Sequence, residues 1–189
     1  MYDKLYEAVA GMVTWPRVAL LFVLALLMMG VFELRRKALG TELLTLDGRK
    51  TGYTPREAGQ VFEAIGSDGR ALYANTELTL DLAFPLVYGS LMVSLLILLY
   101  GRYAKYLVLV PAAAVLMDIA ENVTIAIMIW VYNKQPEPRP DPPLAKLSSV
   151  FTQAKWALSI ISLVLIGIGV VLLVLNALKR RKRAGAAGS

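Results

Sequence analysis

The sequence lacks cysteine and histidine, and each absence excludes a class of chemistry. Without cysteine, the chain forms no disulfide, thiolate metal site or thiol redox centre. Without histidine, it has no Ser-His-Asp triad and no imidazole ligand for haem. Carboxylates could still hold a hard cation, but we predict neither a metal site nor a cofactor.

Hydrophobic residues are abundant, making up 57% of the 189 residues. A soluble domain averages roughly 45–50% on a broader count that includes glycine. The excess lies in four runs, at about 17–33, 78–100, 106–132 and 147–178, and about 20 apolar residues suffice for a helix to cross a bilayer. We therefore predict an all-α integral membrane protein, a four-helix bundle in which residues 1–178 form one domain.

The first loop, at about 33–77, is the only sizeable region outside the predicted spans. It contains a signal for an amphipathic helix at about 55–65, because Thr54 can cap the helix and Glu57 completes a capping box. Gly66 then ends the predicted helix, and residues 67–69 are typical of a turn. This helix is expected to lie on the membrane or to cover the bundle. Residues 133–143, which contain five prolines, predict a stiff extended connector.

Basic residues give conflicting signals on orientation. The predicted basic, flexible tail, residues 179–189, begins with five consecutive Lys and Arg residues. Such clusters favour the cytoplasmic side, whereas Arg35, Arg36 and Lys37 after the first run argue for the opposite orientation. We expect a multi-pass protein of a bacterial inner membrane with cytoplasmic termini. The tail lacks interleaved aromatic residues, so no nucleic-acid partner is expected.

Polar residues inside the spans are the main functional signal. Asp118, Glu121 and Asn122 share one face of the third span, where a single buried charge costs at least about 2.5–3.5 kcal/mol. The fourth span carries a polar stripe that includes Lys155, and the helical rise of about 1.5 Å per residue places it at a similar depth. The predicted polar pocket comprises Asp81, Tyr88, Asp118, Glu121, Asn122, Thr152, Lys155 and Ser159.

Three functions fit this pocket. It could bind a lipid-like or amphipathic small molecule, with acid–base chemistry from Lys155 or a carboxyl group. It could pass protons or ions, or it could lock helix packing in a structural or assembly subunit of a membrane complex. No catalytic residue can be assigned from the sequence. The bilayer is the expected partner, and a small hydrophobic ligand, a membrane-protein partner and a homo-oligomer are left open.

Several short motifs resemble those of a group of small four-span bacterial membrane proteins for which no activity is known, so the resemblance implies none. The motifs are Gly52-Tyr53-Thr54-Pro55, Gly66 with Gly69-Arg70 and Tyr73, Leu80-Asp81 with Phe84-Pro85 and Tyr88, Asp118 with Glu121-Asn122, and Phe151-Thr152 with Lys155-Trp156. The layout also resembles the emopamil-binding/sigma-2 receptor (EXPERA) superfamily, through Glu77 and Asp81 before Pro85 and the acidic third span. That resemblance implies acidic residues that engage amines or sterol-like ligands. The histidines of its isomerase branch are absent here.

Overall fold

A computed structural model describes the backbone of residues 2–40 and 45–186, with side chains up to Arg180. All regular structure in these ranges is helical, which confirms the all-α prediction. Short 3-10 turns at Leu46–Gly48 and Gly101–Tyr103 separate some of the helices. The α-helices are α1 Tyr2–Met12, α2 Trp15–Ala38, α3 Pro55–Leu78, α4 Leu80–Tyr100, α5 Ala104–Leu107, α6 Leu109–Lys134 and α7 Pro142–Ala186.

The helices α2, α4, α6 and α7 carry the four stretches that are long and apolar enough to cross a membrane. Large apolar side chains on α2 and α7 are exposed, such as Leu20, Leu27 and Leu163. In a bilayer these side chains contact acyl chains, while each helix satisfies its own backbone hydrogen bonds. The protein is therefore a multi-pass integral membrane protein. Both α2 and α7 extend beyond their predicted runs, because the helices continue through polar flanks that a count of apolar residues omits.

The α6 helix is the centre of the bundle and packs against α3, α4 and α7. The α2 helix packs on α4, which also contacts α7, so α2 and α7 flank α4. At one end of the bundle, α1 contacts the α4–α6 turn, where the Tyr6 hydroxyl donates to the Gly101 carbonyl at 2.6 Å. We call this the terminal end, and the opposite end, which carries residues 45–79 and 135–141, the loop end.

The first loop folds onto the bundle through α3. The predicted capping box is confirmed, since the Glu57 amide donates to Thr54 Oγ1 at 3.3 Å and the Thr54 amide donates to Glu57 Oε2 at 2.7 Å. Phe62 of α3 packs edge-to-face on Tyr132 of α6, with ring centroids 5.2 Å apart. Leu46, Ile125 and Ile129 belong to the same buried apolar cluster. Of the two placements expected for this helix, covering the bundle is the one observed.

The predicted turn at residues 67–69 is wrong. Gly66 breaks α3 with φ 65° and ψ −173°, a conformation available essentially to glycine alone. That single residue redirects the chain, and the helix resumes at once because Ser67 and Asp68 suit a first helical turn. The helix then runs to Leu78 and brings Tyr73 and Glu77 into the bundle.

The α7 helix begins after the proline-rich connector. Its first turn is capped by Asp141, whose Oδ1 accepts a hydrogen bond from the Leu144 amide at 2.9 Å. The helix continues to Ala186 and so includes residues 179–186 of the predicted flexible tail. Residues 187–189 of that tail lie outside the described residues.

Candidate functional site

Three of the spanning helices meet in a network of charged and hydroxyl side chains. Lys155 Nζ of α7 forms ion pairs with Glu121 and, at 3.3 Å, with Asp118 Oδ1, both on α6. The Tyr88 hydroxyl of α4 donates to Asp118 Oδ2 at 2.8 Å, and the Thr152 hydroxyl donates to Glu121. We call these five residues the ion-pair network.

Helical spacing explains why the network forms. Asp118 and Glu121 lie three residues apart on α6, and Thr152 and Lys155 lie three apart on α7, so each pair shares one helix face. Glu121 and Thr152 are 0% exposed, so their polar side chains are buried in the interface between α6 and α7. The single ammonium between the two carboxylates offsets part of the penalty that each charge would carry alone in the membrane.

Asn122 and Asp81 join α6 to α4 beside this network. The Asn122 Nδ2 group donates to the backbone carbonyl of Asp81 at 2.6 Å. That carbonyl is available because Pro85, four residues later, has no N–H to offer it. The Asn122 side chain thus uses the carbonyl that the proline leaves without a helical partner.

A cavity of about 480 Å³ lies between α2, α4 and α7. Five of the predicted site residues line it, and the other three, Glu121, Asn122 and Thr152, are buried in the helix interfaces instead. The predicted set thus divides into residues that face the cavity and residues that join helices. Those facing the cavity are Asp81, Tyr88, Asp118, Lys155 and Ser159.

The cavity changes from polar to apolar along the bundle axis. Its polar lining at the loop end includes Thr45, Asp47, Thr76, Glu77 and Asp81. Along α4 the lining proceeds from Asp81 through Phe84 to Met92, towards the middle of the bundle. The α2 and α7 walls follow the same order, and their apolar ends are Met29 and Leu163. The cavity is therefore amphipathic.

Sequence reasoning did not place several residues of the polar end in the pocket. Glu77 is the most informative, since it is 1% exposed and its Oε2 has no hydrogen-bond partner among the described residues. Tyr73, Glu77 and Asp81 are spaced by four residues, which is a detectable helical signal. The predicted turn at 67–69 hid that signal, because it placed Tyr73 and Glu77 in a loop.

Residues 45–54, which we call the strap, lie at the loop end of the cavity, where Thr45 and Asp47 line it. The Tyr73 hydroxyl accepts from the Leu46 amide and donates to Asp47 Oδ1, both at 2.9 Å. Trp156 Nε1 donates to the Asp47 carbonyl at 3.0 Å, and the Lys50 ammonium lies 4.6 Å from the centroid of the Trp156 ring. These contacts fasten the strap to both α3 and α7.

The end of the strap is buried against α7. The Tyr53 amide donates to Ser149 Oγ at 2.8 Å, and a side chain at Gly52 would collide with Gln153 and Ser149. Burial raises the pKa of the Tyr53 phenol, so this group stays protonated and neutral at physiological pH. The contacts that hold this end of the strap to α7 are therefore between neutral groups, whereas the next residue, Thr54, donates to the Glu57 carboxylate.

These features define the class of the protein, a four-span membrane protein with a buried ion-pair network and an adjoining amphipathic cavity. In the described part of the chain, no group of acidic side chains is placed to hold a metal ion. No family model matches the sequence, and no curated protein or solved structure matches it either.

Proposed function

We propose that the protein binds a lipid-like, amphipathic small molecule in the cavity between α2, α4 and α7. The observation that carries this proposal is the change from polar to apolar lining within one continuous cavity. The polar head group of the ligand would lie among the carboxylates at the loop end. Its apolar chain would lie between Phe84, Met92 and Leu163.

The size and location of the cavity support the proposal. Ligand pockets measure about 300–1,000 Å³, and the cavity here measures about 480 Å³. Its walls include α2 and α7, two helices whose other faces expose apolar side chains to the bilayer. A membrane-dissolved ligand would therefore enter from the bilayer, between these two helices.

The ion-pair network supports a second role, the packing role expected of a structural subunit. Glu121 and Thr152 are 0% exposed and bond to each other, so they hold α6 and α7 in register. Lys155 lines the cavity, but its ammonium already contacts two carboxylates. In this proposal the network is the rigid wall of the binding site and its side chains do not take part in a reaction.

The orientation of the protein is part of the proposal. Lys179 and the four basic residues after it, together with Arg102 and Lys105, belong to the terminal end. The positive-inside tendency would place that end in the cytoplasm of a bacterium. The polar end of the cavity would then face the outer leaflet of the inner membrane.

The proposal can be tested by identifying compounds that co-purify with the protein in mild detergent. Met92→Trp fills the apolar end of the cavity, whereas the matched control Met12→Trp changes an exposed residue of α1. Mass spectrometry is expected to find a discrete amphiphile in the wild type and in Met12→Trp but not in Met92→Trp. The same bulk lipid profile in all three proteins would contradict the proposal.

A further inference from the structure

The charges that line the cavity indicate the head group it accepts. We propose, as an extension of the proposed function, that the ligand is zwitterionic, with a protonated amine held by Glu77 and Asp81 and a phosphate held by Arg35. A lysophospholipid or phospholipid with an ethanolamine head group has this chemistry. The inference rests on which charged groups lack partners in the structure.

The acidic part of the cavity holds two buried carboxyl groups that form no ion pair with a described cation. Glu77 is 1% exposed and Asp81 is 8% exposed. Glu77 Oε2 lacks a hydrogen-bond partner, and neither carboxylate forms an ion pair within the described ranges. Lys155, the cation that α7 contributes to the cavity wall, is already engaged by Asp118 and Glu121. A buried carboxylate without a partner is costly, so each of these groups either holds a proton or pairs with a cation, and an ammonium group of a ligand would take the place of that proton.

An organic cation fits this end better than a metal ion. The acidic residues described here are not grouped closely enough to ligate a metal. An ammonium group is larger than a metal ion and donates three hydrogen bonds, so it can contact carboxylates that lie too far apart to share a metal. Glu77, Asp81 and Asp47 all line the same end of the cavity and provide such acceptors.

The α2 wall of the cavity contributes a cation. Arg35 of α2 is half-buried, lines the cavity and has no ion pair with any described side chain. Its neighbour Arg36, by contrast, is bound to Glu33 through two hydrogen bonds of 2.9 Å. A guanidinium group matches a phosphate well, because its planar donors bind two oxygens at once.

The two charged regions lie on different helices and form no ion pair with each other within 4.0 Å. Arg35 lies on α2, whereas Glu77 and Asp81 lie on α3 and α4. An alkylamine would leave Arg35 unpaired, and a phosphatidic acid would leave both carboxylates unpaired. A zwitterionic head group satisfies both regions and keeps the apolar chain in the apolar end of the cavity.

The test compares three probes with the same acyl or alkyl chain length on the full-length protein in detergent. They are lysophosphatidylethanolamine, lysophosphatidic acid and an alkylamine. We expect the first to bind at least about tenfold more tightly than either of the others, since each charge-assisted contact is worth about that factor. Binding can be measured by native mass spectrometry and by ligand-dependent thermal stabilisation.

Two variants separate the contributions of the two charged regions. Arg35→Gln is expected to remove the advantage of lysophosphatidylethanolamine over the alkylamine. Glu77→Gln is expected to remove its advantage over lysophosphatidic acid, and Asp81→Asn replaces that variant if it does not fold. Arg102→Gln, at an exposed position of the terminal end, is the control and should leave all three affinities unchanged.

The outcomes distinguish this inference from the proposed function. Equal binding of the three probes would overturn the zwitterionic head group while leaving the amphipathic ligand in place. Tightest binding of the alkylamine would overturn the phosphate contact, and tightest binding of lysophosphatidic acid would overturn the amine contact. If no probe binds and no amphiphile co-purifies, both the inference and the proposed function fail.

Discussion

Replacing Lys155 with methionine is the sharpest perturbation of the ion-pair network. Methionine keeps most of the volume of the side chain and removes the charge. Asp118 and Glu121 then remain in the helix interface with one hydrogen bond each, from Tyr88 and Thr152. Since the Asp118 and Glu121 side chains are only 5% and 0% exposed, bulk water has little access to the place of the lost ammonium.

The expected cost follows from the burial of all three charges. Removing one partner of a buried ion pair costs about 3–5 kcal/mol, because the other charge is left uncompensated. That is a large share of the roughly 5–15 kcal/mol that separates folded from unfolded proteins. The triple variant Lys155→Met, Asp118→Asn, Glu121→Gln removes all the charges and keeps amide acceptors for both hydroxyls. We expect it to be within about 1 kcal/mol of the wild type.

The measurement is unfolding in mixed detergents, followed by circular dichroism. Lys146→Met, an exposed position on the same helix, is the control and should change the stability by less than about 0.5 kcal/mol. The reasoning is refuted if Lys155→Met costs less than about 1 kcal/mol. It is also refuted if the triple variant is no more stable than Lys155→Met alone, because the cost would then not come from uncompensated charge.

Three further predictions concern the strap, the break in α3 and the orientation. Tyr73→Phe leaves the buried Leu46 amide unpaired, so we expect the free energy of unfolding to fall by about 1–3 kcal/mol and hydrogen exchange in residues 45–54 to become faster. Unchanged exchange would contradict the role given to the Tyr73 hydroxyl. Gly66→Ala should lower the stability by about 1–3 kcal/mol in the same unfolding assay, because Gly66 has a positive φ. The control Gly167→Ala, at an uncrowded helical position, should stabilise the protein slightly. Equal effects of the two substitutions would mean that the Gly66 backbone is not strained. Because the chain has no cysteine, Arg102→Cys provides a single site for a thiol reagent, which we expect to react from the cytoplasmic face. Reaction only from the other face would show that the proposed orientation is wrong.

The spans and the ion-pair network could be predicted from the sequence because both follow from helical periodicity. Hydrophobic length fixes the spans, and a spacing of three or four residues fixes which polar side chains share a face. To predict that Asp118, Glu121 and Lys155 meet, only one further step was needed, a comparison of their depths along the helices. The inclusion of Thr152 and Tyr88 in the predicted pocket followed from the same helical faces.

The polar end of the cavity could not be predicted in the same way. Asp47 reaches the cavity because the strap is fastened by Tyr73 and Trp156, two contacts between residues distant in the sequence. Glu77 was noted in the resemblance to the EXPERA superfamily but left out of the predicted pocket for a local reason, since Gly66 redirects the chain without ending the helical segment. Non-local contacts and a single glycine conformation thus decide which residues form the polar end of the cavity.

The length of α7 has a consequence for the surrounding bilayer. Leu99 and Tyr100, at the end of α4, lie beside Gly169, so 17 residues of α7 extend beyond that level. The first nine, residues 170–178, are apolar except for Asn176 and are exposed, and they add about 14 Å of apolar helix to one side of the bundle. This is a hydrophobic mismatch between one span and its neighbours. Lipids with longer acyl chains would cover the extra length, so the stability of the protein should increase with bilayer thickness.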